Sequence, residues 1–312
     1  MSRITVLCGG VGAARFLRGL VAIVDPSDVT AIVNVGDDAE FHGLRVSPDI
    51  DTVLYTLAGI VNEQHGWGIR DETWHVQEAL ARLGRDTWFQ LGDADLATHI
   101  HRTALLRSGV SLTDVTSRLA SALGVGARIL PASDAPQATM VRTDDGWLAF
   151  QDYFVRRRQR DTVREVRFDG SRVPAPGVIA AIGSASIVIV APSNPIVSIG
   201  PILALDGVRD ALARTAAQVV AVSPIIAGEA VKGPAAAMLA SLGHQVSAAG
   251  VARLYADFLD VLVIDERDAE LAPAVEKSGP RAVVAPTLMV DAPARARLAR
   301  ATLDAVSSDA RA

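Results

Sequence analysis

Four carboxylates lie close together in the sequence, directly after an apolar run that is typical of a buried strand. Asp37 and Asp38 follow the run Val29–Val33, and Asp49 and Asp51 come shortly afterwards. Acidic side chains are rarely buried without a partner, and a cation is the simplest partner that several of them can share. Mg²⁺ needs only one or two carboxylates where substrate phosphates complete its coordination. We therefore predict a Mg²⁺ site with Asp37, Asp38 and Asp51 as candidate ligands.

Asp51 is the carboxylate that we assign to chemistry. It could ligate the metal or take a proton from an attacking hydroxyl group, and the sequence leaves both roles open. Asp49 has a second interpretation as a helix cap, because Thr52 and the helical segment Val53–Ala58 follow it directly. The two aspartates of this segment can therefore have different tasks.

A glycine-rich turn follows the first apolar run. The strand-like segment Ile4–Cys8 leads into Gly9, Gly10 and Gly12, and Arg15 lies in the helix start that follows. Free amide groups at a helix N-terminus can hold a phosphate, so Gly10, Gly12 and Arg15 are predicted phosphate-binding residues. A purely structural tight turn is the alternative. Arg15 replaces the third glycine of the dinucleotide motif, which argues against a nicotinamide-dependent dehydrogenase.

Two later turns also place polar residues after apolar runs. Ser193, Asn194 and Ser198 follow the run Ser186–Ala191. They could bind a nucleobase or a phosphate, or they could form an Asx turn that only shapes a proline-rich loop. Lys232 precedes another helical segment and is either a phosphate ligand or a solvated loop lysine.

A fifth segment contains two acids, two histidines and an arginine at the start of a predicted helix. His99 and His101 are two residues apart, which places them on different faces of a helix, and no cysteine accompanies them. This spacing disfavours a zinc site. We interpret Asp93 and Asp95 as helix caps, with His99 or Arg102 facing a substrate.

Composition excludes several classes of function. The chain has 312 residues, half of them hydrophobic, and a net charge of -5, which disfavours a general nucleic-acid-binding protein. Cys8 is the only cysteine and lies in an apolar run, so we expect a buried thiol and no internal disulfide. The sequence has no apolar run long enough for a membrane span, and we expect a cytoplasmic protein.

Short apolar runs rich in β-branched residues alternate with segments of helical spacing. This alternation predicts an α/β protein in which a mostly parallel sheet has helices on both faces. The predicted strands are Ile4–Cys8, Val29–Val33, Ser186–Ala191, Val219–Val222, Val261–Ile264 and Ala282–Ala285. The predicted helices between them include Ala13–Val24, Val208–Ala217 and Pro234–Leu242.

The middle of the chain breaks this alternation. Residues 71–123 have mainly helical patterns, and residues 128–172 have short alternating stretches with a hairpin turn at Asp144-Asp145-Gly146. We therefore predict a core of residues 1–70 and 176–312, interrupted by an inserted substrate-binding region at 71–175. The run Arg156–Arg160 is interpreted as part of a solvated hairpin, with an anionic-substrate clamp or a subunit contact as alternatives.

Several of these motifs together resemble the CofD/FbiA family, the 2-phospho-L-lactate or phosphoenolpyruvate transferases of coenzyme F420 biosynthesis. The resemblance runs in order from about Ile4 to about Met289. The segments that carry it are Gly9-Gly10-Val11-Gly12 with Arg15, Gly36-Asp37-Asp38, Ser47-Pro48-Asp49-Ile50-Asp51-Thr52, Leu91-Gly92-Asp93 through Thr98-His99, Ser193-Asn194-Pro195 with Ser198-Ile199-Gly200-Pro201, and Val222-Ser223-Pro224-Ile225-Ile226.

The resemblance implies a Rossmann-like core, a Mg²⁺ requirement and a homodimer. It also implies a donor in which guanosine is joined through a diphosphate to a three-carbon acid, and an acceptor that is the ribityl hydroxyl of the deazaflavin Fo. Asp51 would then contact the deazaflavin at the reaction centre. The position before Leu91 also belongs to the deazaflavin site of the family, where a lysine can occur, and this chain has Gln90.

On this interpretation the guanosine diphosphate part of the donor is held by Gly10, Gly12 and Arg15 at phosphate and by Ser193, Asn194 and Ser198 at the guanosine. The three-carbon group could be enolpyruvate, lactate or a glyceryl acid. The lysine-poor, arginine- and alanine-rich composition is typical of a GC-rich genome such as that of an actinobacterium, for which the resemblance implies enolpyruvate.

A protein of another class has a similar core. The bacterial gluconeogenesis-factor (YvcK-type) proteins are non-catalytic regulators that bind nucleotide sugars, and such a protein would need no deazaflavin pocket. The acidic segments Pro48–Thr52 and Leu91–His99 favour the transferase over this alternative.

Overall fold

A parallel sheet of seven strands forms the centre of the molecule. The computed structural model describes residues 3–307, so the extreme ends of the predicted core, residues 1–2 and 308–312, lie outside the described residues. The strands are β1 (Ile4–Cys8), β2 (Val29–Val33), β3 (Ala39–Phe41), β4 (Leu44–Val46), β5 (Arg128–Pro131), β6 (Gln137–Thr143), β7 (Gly146–Ala149), β8 (Glu165–Gly170), β9 (Ile187–Val190), β10 (Gln218–Val222), β11 (Ile225–Ile226), β12 (Glu229–Ala230), β13 (Val261–Asp265) and β14 (Arg281–Ala285).

Helices connect most of these strands. The α-helices are α1 (Gly10–Leu20), α2 (Pro48–Leu57), α3 (His75–Arg82), α4 (Asp93–Arg107), α5 (Leu112–Ala122), α6 (Val178–Gly183), α7 (Gly200–Leu203), α8 (Val208–Arg214), α9 (Ala235–Ser241), α10 (Ala248–Leu254), α11 (Ala272–Glu276) and α12 (Ala292–Ser307). Short 3₁₀ turns occupy Pro26–Asp28 and Glu266–Leu271, and a π-helical turn occupies Asp152–Arg156.

The central sheet confirms the predicted α/β architecture. Its order is β14-β13-β10-β9-β1-β2-β5, and all neighbouring strands are parallel. All residues of β1 and of β13 are buried. Because successive side chains of a strand point to opposite faces, complete burial means that both faces of the sheet are covered.

The order of the strands reverses direction at β1. The chain continues from β1 to β2 on one side of the sheet and returns later to β9 on the other side. In open α/β sheets, ligands bind outside the carboxyl ends of the strands at such a switch point. The glycine turn after β1, the acidic segment after β2 and the polar turn after β9 all begin at this end of the sheet.

A smaller antiparallel sheet, in the order β7-β6-β8, lies in the predicted insert and contains the expected hairpin turn at Asp144-Asp145-Gly146. Two hairpins, β3 with β4 and β11 with β12, lie outside the main sheet. Strand β5 lies within the range 71–175 but pairs with β2, so this part of the range belongs to the central sheet. The division into a core and an inserted substrate-binding region otherwise stays a prediction.

Within residues 3–307 we find no helix that combines the length and the apolar character needed to cross a membrane.

Candidate active site

A cavity of about 860 Å³ lies at the carboxyl ends of the central strands. The predicted site residues that line it are Gly10, Gly12, Arg15, Asp37, Asp51, Gln90, Ser193, Asn194 and Ser198. The remaining predicted residue, Asp38, lies outside this lining. Residues from five separate segments of the chain therefore meet at the predicted edge of the sheet.

The start of α1 already binds a carboxylate of the protein. Asp49 accepts a hydrogen bond from the backbone N–H of Gly10 at 2.8 Å. The N–H of Gly9 donates to the Ser193 hydroxyl at 3.4 Å. The cap role considered for Asp49 is thus observed, but on α1 and not on its own helix α2. Since Asp49 occupies this N-terminus, a phosphate that binds here meets a negative charge.

Gly12 permits the close approach of α1 to the segment that follows β9. A Cβ atom at this position would lie 2.4 Å from the carbonyl oxygen of Pro192. This is far inside van der Waals contact, so a larger residue would push the helix and the loop apart. The glycine is explained by packing as well as by any role toward a ligand.

Asn34 connects the acidic segment to the glycine turn. Its side-chain amide donates to Asp49 at 2.9 Å, and its amide oxygen accepts from the N–H of Gly36 at 2.8 Å. Burial raises the pKa of Asp49 to about 6 although Asn34 and Gly10 both donate to it. Asn34 thereby fixes a carboxylate in the cavity wall, a role that its position in the sequence did not reveal.

Asp37 is the carboxylate that best fits a cation. Burial, followed by the nearby charges of Asp49 and Asp38, raises the pKa of Asp37 far above its usual range. Its Oδ1 atom is buried without a hydrogen-bond partner. A cation beside Asp37 would supply the missing partner and relieve the repulsion from Asp49.

Asp38 also has a buried Oδ1 without a hydrogen-bond partner, but it lies outside the cavity lining. Its Oδ2 accepts a hydrogen bond from the Ser47 hydroxyl at 2.6 Å, and burial raises its pKa to about 7. Residues 3–307 contain no group of three or more His, Cys, Asp or Glu side chains arranged to hold a metal. A Mg²⁺ ion here would therefore depend on one or two carboxylates and on oxygen atoms of a bound substrate.

Asp51 forms a two-point ion pair with Arg102 of α4. Arg102 Nη1 lies 3.0 Å from Asp51 Oδ2, and Nη2 contacts Oδ1. The Arg102 side chain is 0% exposed and that of Asp51 is 7% exposed. Of the two residues that we expected to face a substrate, Arg102 does not, because its guanidinium is buried against Asp51 and the residue does not line the cavity. The other, His99, does line it.

A second layer of side chains, Tyr55, Asp95 and His99, extends this network and itself lines the cavity. His99 Nδ1 lies 3.2 Å from Arg102 Nη1, and His99 Nε2 lies 3.2 Å from Asp95 Oδ2. The Tyr55 hydroxyl donates to Asp95 Oδ1 at 2.6 Å. Although burial alone would raise it, contacts with His99, Tyr55 and Arg102 lower the pKa of Asp95. Asp95 therefore orders this layer and is not the helix cap that we expected.

The cap interpretation holds for Asp93, but on another helix. Asp93 accepts hydrogen bonds from the N–H groups of His75 and Val76, both at 3.0 Å, at the start of α3. Glu72 in turn accepts from the N–H groups of Ala94 and Asp95 at the start of α4. His101 is exposed whereas His99 is buried, as their spacing predicts.

Several aromatic side chains line the cavity together with Gln90. Phe150 and Phe154 stack with ring centroids 5.3 Å apart, and Trp88 and Phe89 also line the cavity. Flat apolar walls of this kind suit an aromatic ring system. Gln90 itself is exposed.

Two side chains of the polar turn after β9 already form hydrogen bonds within the protein. Ser193 donates from its hydroxyl to the carbonyl oxygen of Gly9 at 3.0 Å. The Asn194 side-chain oxygen accepts from the N–H of Ile196 at 2.9 Å, which is the Asx turn that we considered. Ser198 is buried in the lining. These residues shape the wall, and their contact with a nucleotide stays a prediction.

The arginine run lies at the surface, as we expected. Arg156 pairs with Asp86 at 2.9 Å, and Arg157 pairs with Asp145 at 2.7 Å. Arg158 is the member of the run that lines the cavity. Two further cationic side chains line the cavity. The role of Lys232 was left open by the sequence, and Arg295 was not recognised as a candidate.

A family model matches almost the whole chain. The model of the family described as 2-phospho-L-lactate transferase CofD matches residues 4–302. A phosphoenolpyruvate transferase of Streptomyces griseus is 45% identical and covers 97% of this chain and 98% of its own length. A 2-phospho-L-lactate transferase of Methanothermobacter thermautotrophicus is 43% identical, with 97% of each chain covered.

A phosphoenolpyruvate transferase of Mycolicibacterium smegmatis is also 43% identical, over 97% of this chain and 98% of its own. Among solved structures, a UPF0052-family protein from Bacillus halodurans matches 96% of this chain and 98% of its own with a TM-score of 0.64. Its sequence identity is 16%, so this likeness concerns the fold alone.

Proposed function

The chain belongs to the CofD family, and from this premise we propose that it transfers a phospho-three-carbon-acid group from a guanosine-diphosphate-linked donor to the deazaflavin Fo. The predicted family resemblance is thereby confirmed. The transferase names of the relatives support this function over the non-catalytic nucleotide-sugar-binding regulator. The observation that carries the proposal is a single cavity that joins buried carboxylates to an aromatic wall.

The proposed reaction is a displacement at phosphorus. The ribityl hydroxyl oxygen of Fo forms a bond to the phosphorus that carries the three-carbon acid. The bond from this phosphorus to the bridging oxygen of the diphosphate breaks, and GMP leaves with the electron pair. Most of the rate enhancement then comes from positioning and from stabilisation of charge on the phosphoryl oxygens.

Asp51 orients the attacking hydroxyl in this proposal and receives its proton. The Asp51 side chain lines the cavity, and its carboxylate is held in one orientation by Arg102. Both oxygens contact the Arg102 guanidinium, and each keeps a further lone pair that can accept a hydrogen bond from the attacking hydroxyl. Arg102 is accordingly a positioning residue.

Asp37 is the proposed protein ligand for Mg²⁺, with Asp49 beside it. A bound Mg²⁺ would neutralise charge on the diphosphate of the donor. The buried, unpartnered Oδ1 of Asp37 and the raised pKa values of Asp37 and Asp49 support this assignment. Asp51, which we predicted as a further ligand, is engaged by Arg102. Asp38, the third predicted ligand, also has a buried Oδ1 without a partner, but it lies outside the cavity lining and its Oδ2 accepts from Ser47.

The aromatic wall beside Gln90 is the proposed site of the deazaflavin ring. The segments around Gly10, Gly12, Ser193, Asn194 and Ser198 would then face the guanosine diphosphate part. We propose enolpyruvate as the three-carbon group, because phosphoenolpyruvate transferases of Streptomyces and Mycolicibacterium are among the relatives with 43–45% identity.

Mass spectrometry of the products tests this function. Purified protein is incubated with Fo, Mg²⁺ and either the enolpyruvyl or the lactyl donor. We expect GMP and the phosphoenolpyruvyl ester of Fo in equal amounts with the first donor. Release of GMP without modification of Fo, or failure of the protein to bind Fo, would refute the proposal.

We also propose a cytoplasmic homodimer, which the family resemblance supports. Light scattering coupled to size-exclusion chromatography gives the mass in solution. A single species with the mass of one chain, at concentrations used for activity, would contradict the dimer.

A further inference from the structure

Three cations from three separate elements line one side of the cavity. Arg15 comes from α1, Lys232 from the loop before α9, and Arg295 from α12. Helices α1 and α12 pack so closely that a Cβ atom at Gly19 would lie 2.4 Å from the carbonyl oxygen of Arg295. This contact fixes the backbone from which the Arg295 side chain enters the cavity wall.

Arg15 and Lys232 face the same point above Gly66. A Cβ atom at Gly66 would lie 3.6 Å from Arg15 Nη2 and also 3.6 Å from Lys232 Nζ, so the two cations are no further apart than twice this distance. Lys232 Nζ donates to the carbonyl oxygen of His65. Among the described residues, Arg15 has no side-chain hydrogen bond or ion pair. Two like charges are thus close together, and Glu63 is a carboxylate of the lining that interacts electrostatically with Arg15.

Arg295 has an unused donor. Its side chain is 11% exposed, its Nε is buried without a hydrogen-bond partner, and its Nη2 lies 3.4 Å from Glu63. Glu63 also forms an ion pair with Arg18. One carboxylate is therefore shared between two arginines, and positive charge remains in excess on this side of the cavity.

The start of α1 cannot hold an anion in the usual way. The first N–H of α1 is occupied by Asp49, and Asp37 and Asp51 line the same region. An anionic group that enters the cavity is repelled there unless a cation is bound, whereas it gains charge-assisted hydrogen bonds beside the arginines and Lys232.

We propose that Arg15, Lys232 and Arg295 form a subsite that binds an oxyanion, either a phosphate or the carboxylate of the three-carbon acid. Only the identity of the ligand rests on the proposed function. The excess of cations, their convergence on one cavity and the unpartnered Nε of Arg295 would characterise an oxyanion site in a protein of any function. Lys232 therefore acts as an anion ligand, one of the two roles that the sequence left open.

Binding of inorganic pyrophosphate in metal-free buffer with a chelator tests the subsite by itself. Arg295→Met and Lys232→Met should each weaken pyrophosphate binding by about tenfold, since each removes a charge-assisted contact. Arg297→Met, on the same helix, and Lys277→Met, the only other lysine, are matched controls on exposed residues and should bind as the wild type does. Arg295→Lys keeps the charge and should recover most of the affinity, which separates lost binding from misfolding.

Measurements with GDP and with the intact donor show which oxyanion the subsite binds. If the subsite holds a phosphate, Arg295→Met weakens GDP binding as it weakens pyrophosphate binding. If it holds the carboxylate, GDP affinity is unchanged and the KM for the intact donor rises. Absence of pyrophosphate binding by the wild type, or equal binding by all variants, overturns the inference. Pyrophosphate binding without binding of GDP or donor would instead refute the proposed function and leave the subsite standing.

Discussion

Asp51 and Arg102 form a buried ion pair in which one carboxylate and one guanidinium meet at two points, between helices that are distant in sequence. Because of this pair, the aspartates of the segment after β2 have different surroundings. Asp49 and Asp37 are left near the glycine turn, whereas Asp51 is fixed from behind by α4. Its orientation therefore depends on a residue that does not reach the cavity.

Arg102→Met is expected to lower kcat by about a hundredfold, because the Asp51 carboxylate loses the group that orients it. The KM for Fo should change much less. Thermal and chemical unfolding should show a loss of about 3–5 kcal/mol, since an unpaired carboxylate stays buried. Arg118→Met on the exposed face of α5 is the matched control. Unchanged kcat in folded Arg102→Met protein would contradict the positioning role.

Asp51→Asn should abolish turnover. The structure also predicts a lower free energy of unfolding for this variant, because Arg102 is left without its counter-charge. Activity must therefore be measured per folded molecule, with Asp206→Asn at an exposed surface pair as control. The double variant Asp51→Asn with Arg102→Met should be more stable than Asp51→Asn alone. Additive losses of stability would argue against the pair.

Much of the fold was predictable because its strands are buried on both faces. Such strands are continuous apolar runs, and each of the six predicted runs overlaps a strand of the central sheet. Strand β5, Arg128–Pro131, was missed since it is short, begins with an arginine, ends with a proline and lies at the edge of the sheet. Edge position relaxes the composition that a central strand requires.

The acidic and glycine segments were also predictable, because strand ends in a parallel sheet converge. The buried arginines near the cavity were not. Arg102 and Arg295 lie on helices whose sequences resemble those of exposed helices, and only tertiary packing reveals that their side chains are buried or nearly so. Asp49 illustrates the same limit, since it caps a helix that begins 39 residues earlier in the chain.

Stability should fall as the pH rises through the range in which Asp38 ionises. Its pKa is raised by burial to about 7, against about 3.9 in an unfolded chain. The folded state therefore holds this proton more tightly, and the free energy of unfolding decreases between about pH 4 and pH 7, by at most ~1.4 kcal/mol per pH unit for this group. Denaturant unfolding in a chelator measures the slope.

Asp38→Asn should make this decrease smaller, because the amide does not ionise. Asp114→Asn, an exposed carboxylate of α5, serves as the control and should keep the wild-type slope. Identical pH profiles for the wild type and Asp38→Asn would show that Asp38 is ionised in the folded protein at low pH.

Mg²⁺ should bind weakly to the protein alone and more tightly when GDP is present. The described residues offer no cluster of three ligands, so phosphate oxygens must complete the coordination. Asp37→Asn is expected to reduce Mg²⁺ affinity in the presence of GDP by about tenfold. The neighbouring Asp38→Asn should have a smaller effect, as Asp38 lies outside the cavity lining. Calorimetric titration measures the Mg²⁺ affinity of each variant. A larger loss of affinity in Asp38→Asn than in Asp37→Asn would identify Asp38 as the ligand.

Gly12→Ala tests the approach of α1 to the loop after β9. The new methyl group would lie 2.4 Å from the carbonyl oxygen of Pro192, so the helix start and the turn that carries Ser193 must separate. We expect a loss of about 2 kcal/mol or more in unfolding and weaker GDP binding, because both walls of the cavity move. Gly183→Ala, where a Cβ atom meets nothing within 4 Å, is the control and should be neutral. Equal behaviour of the two variants would show that the helix and the loop can separate without cost.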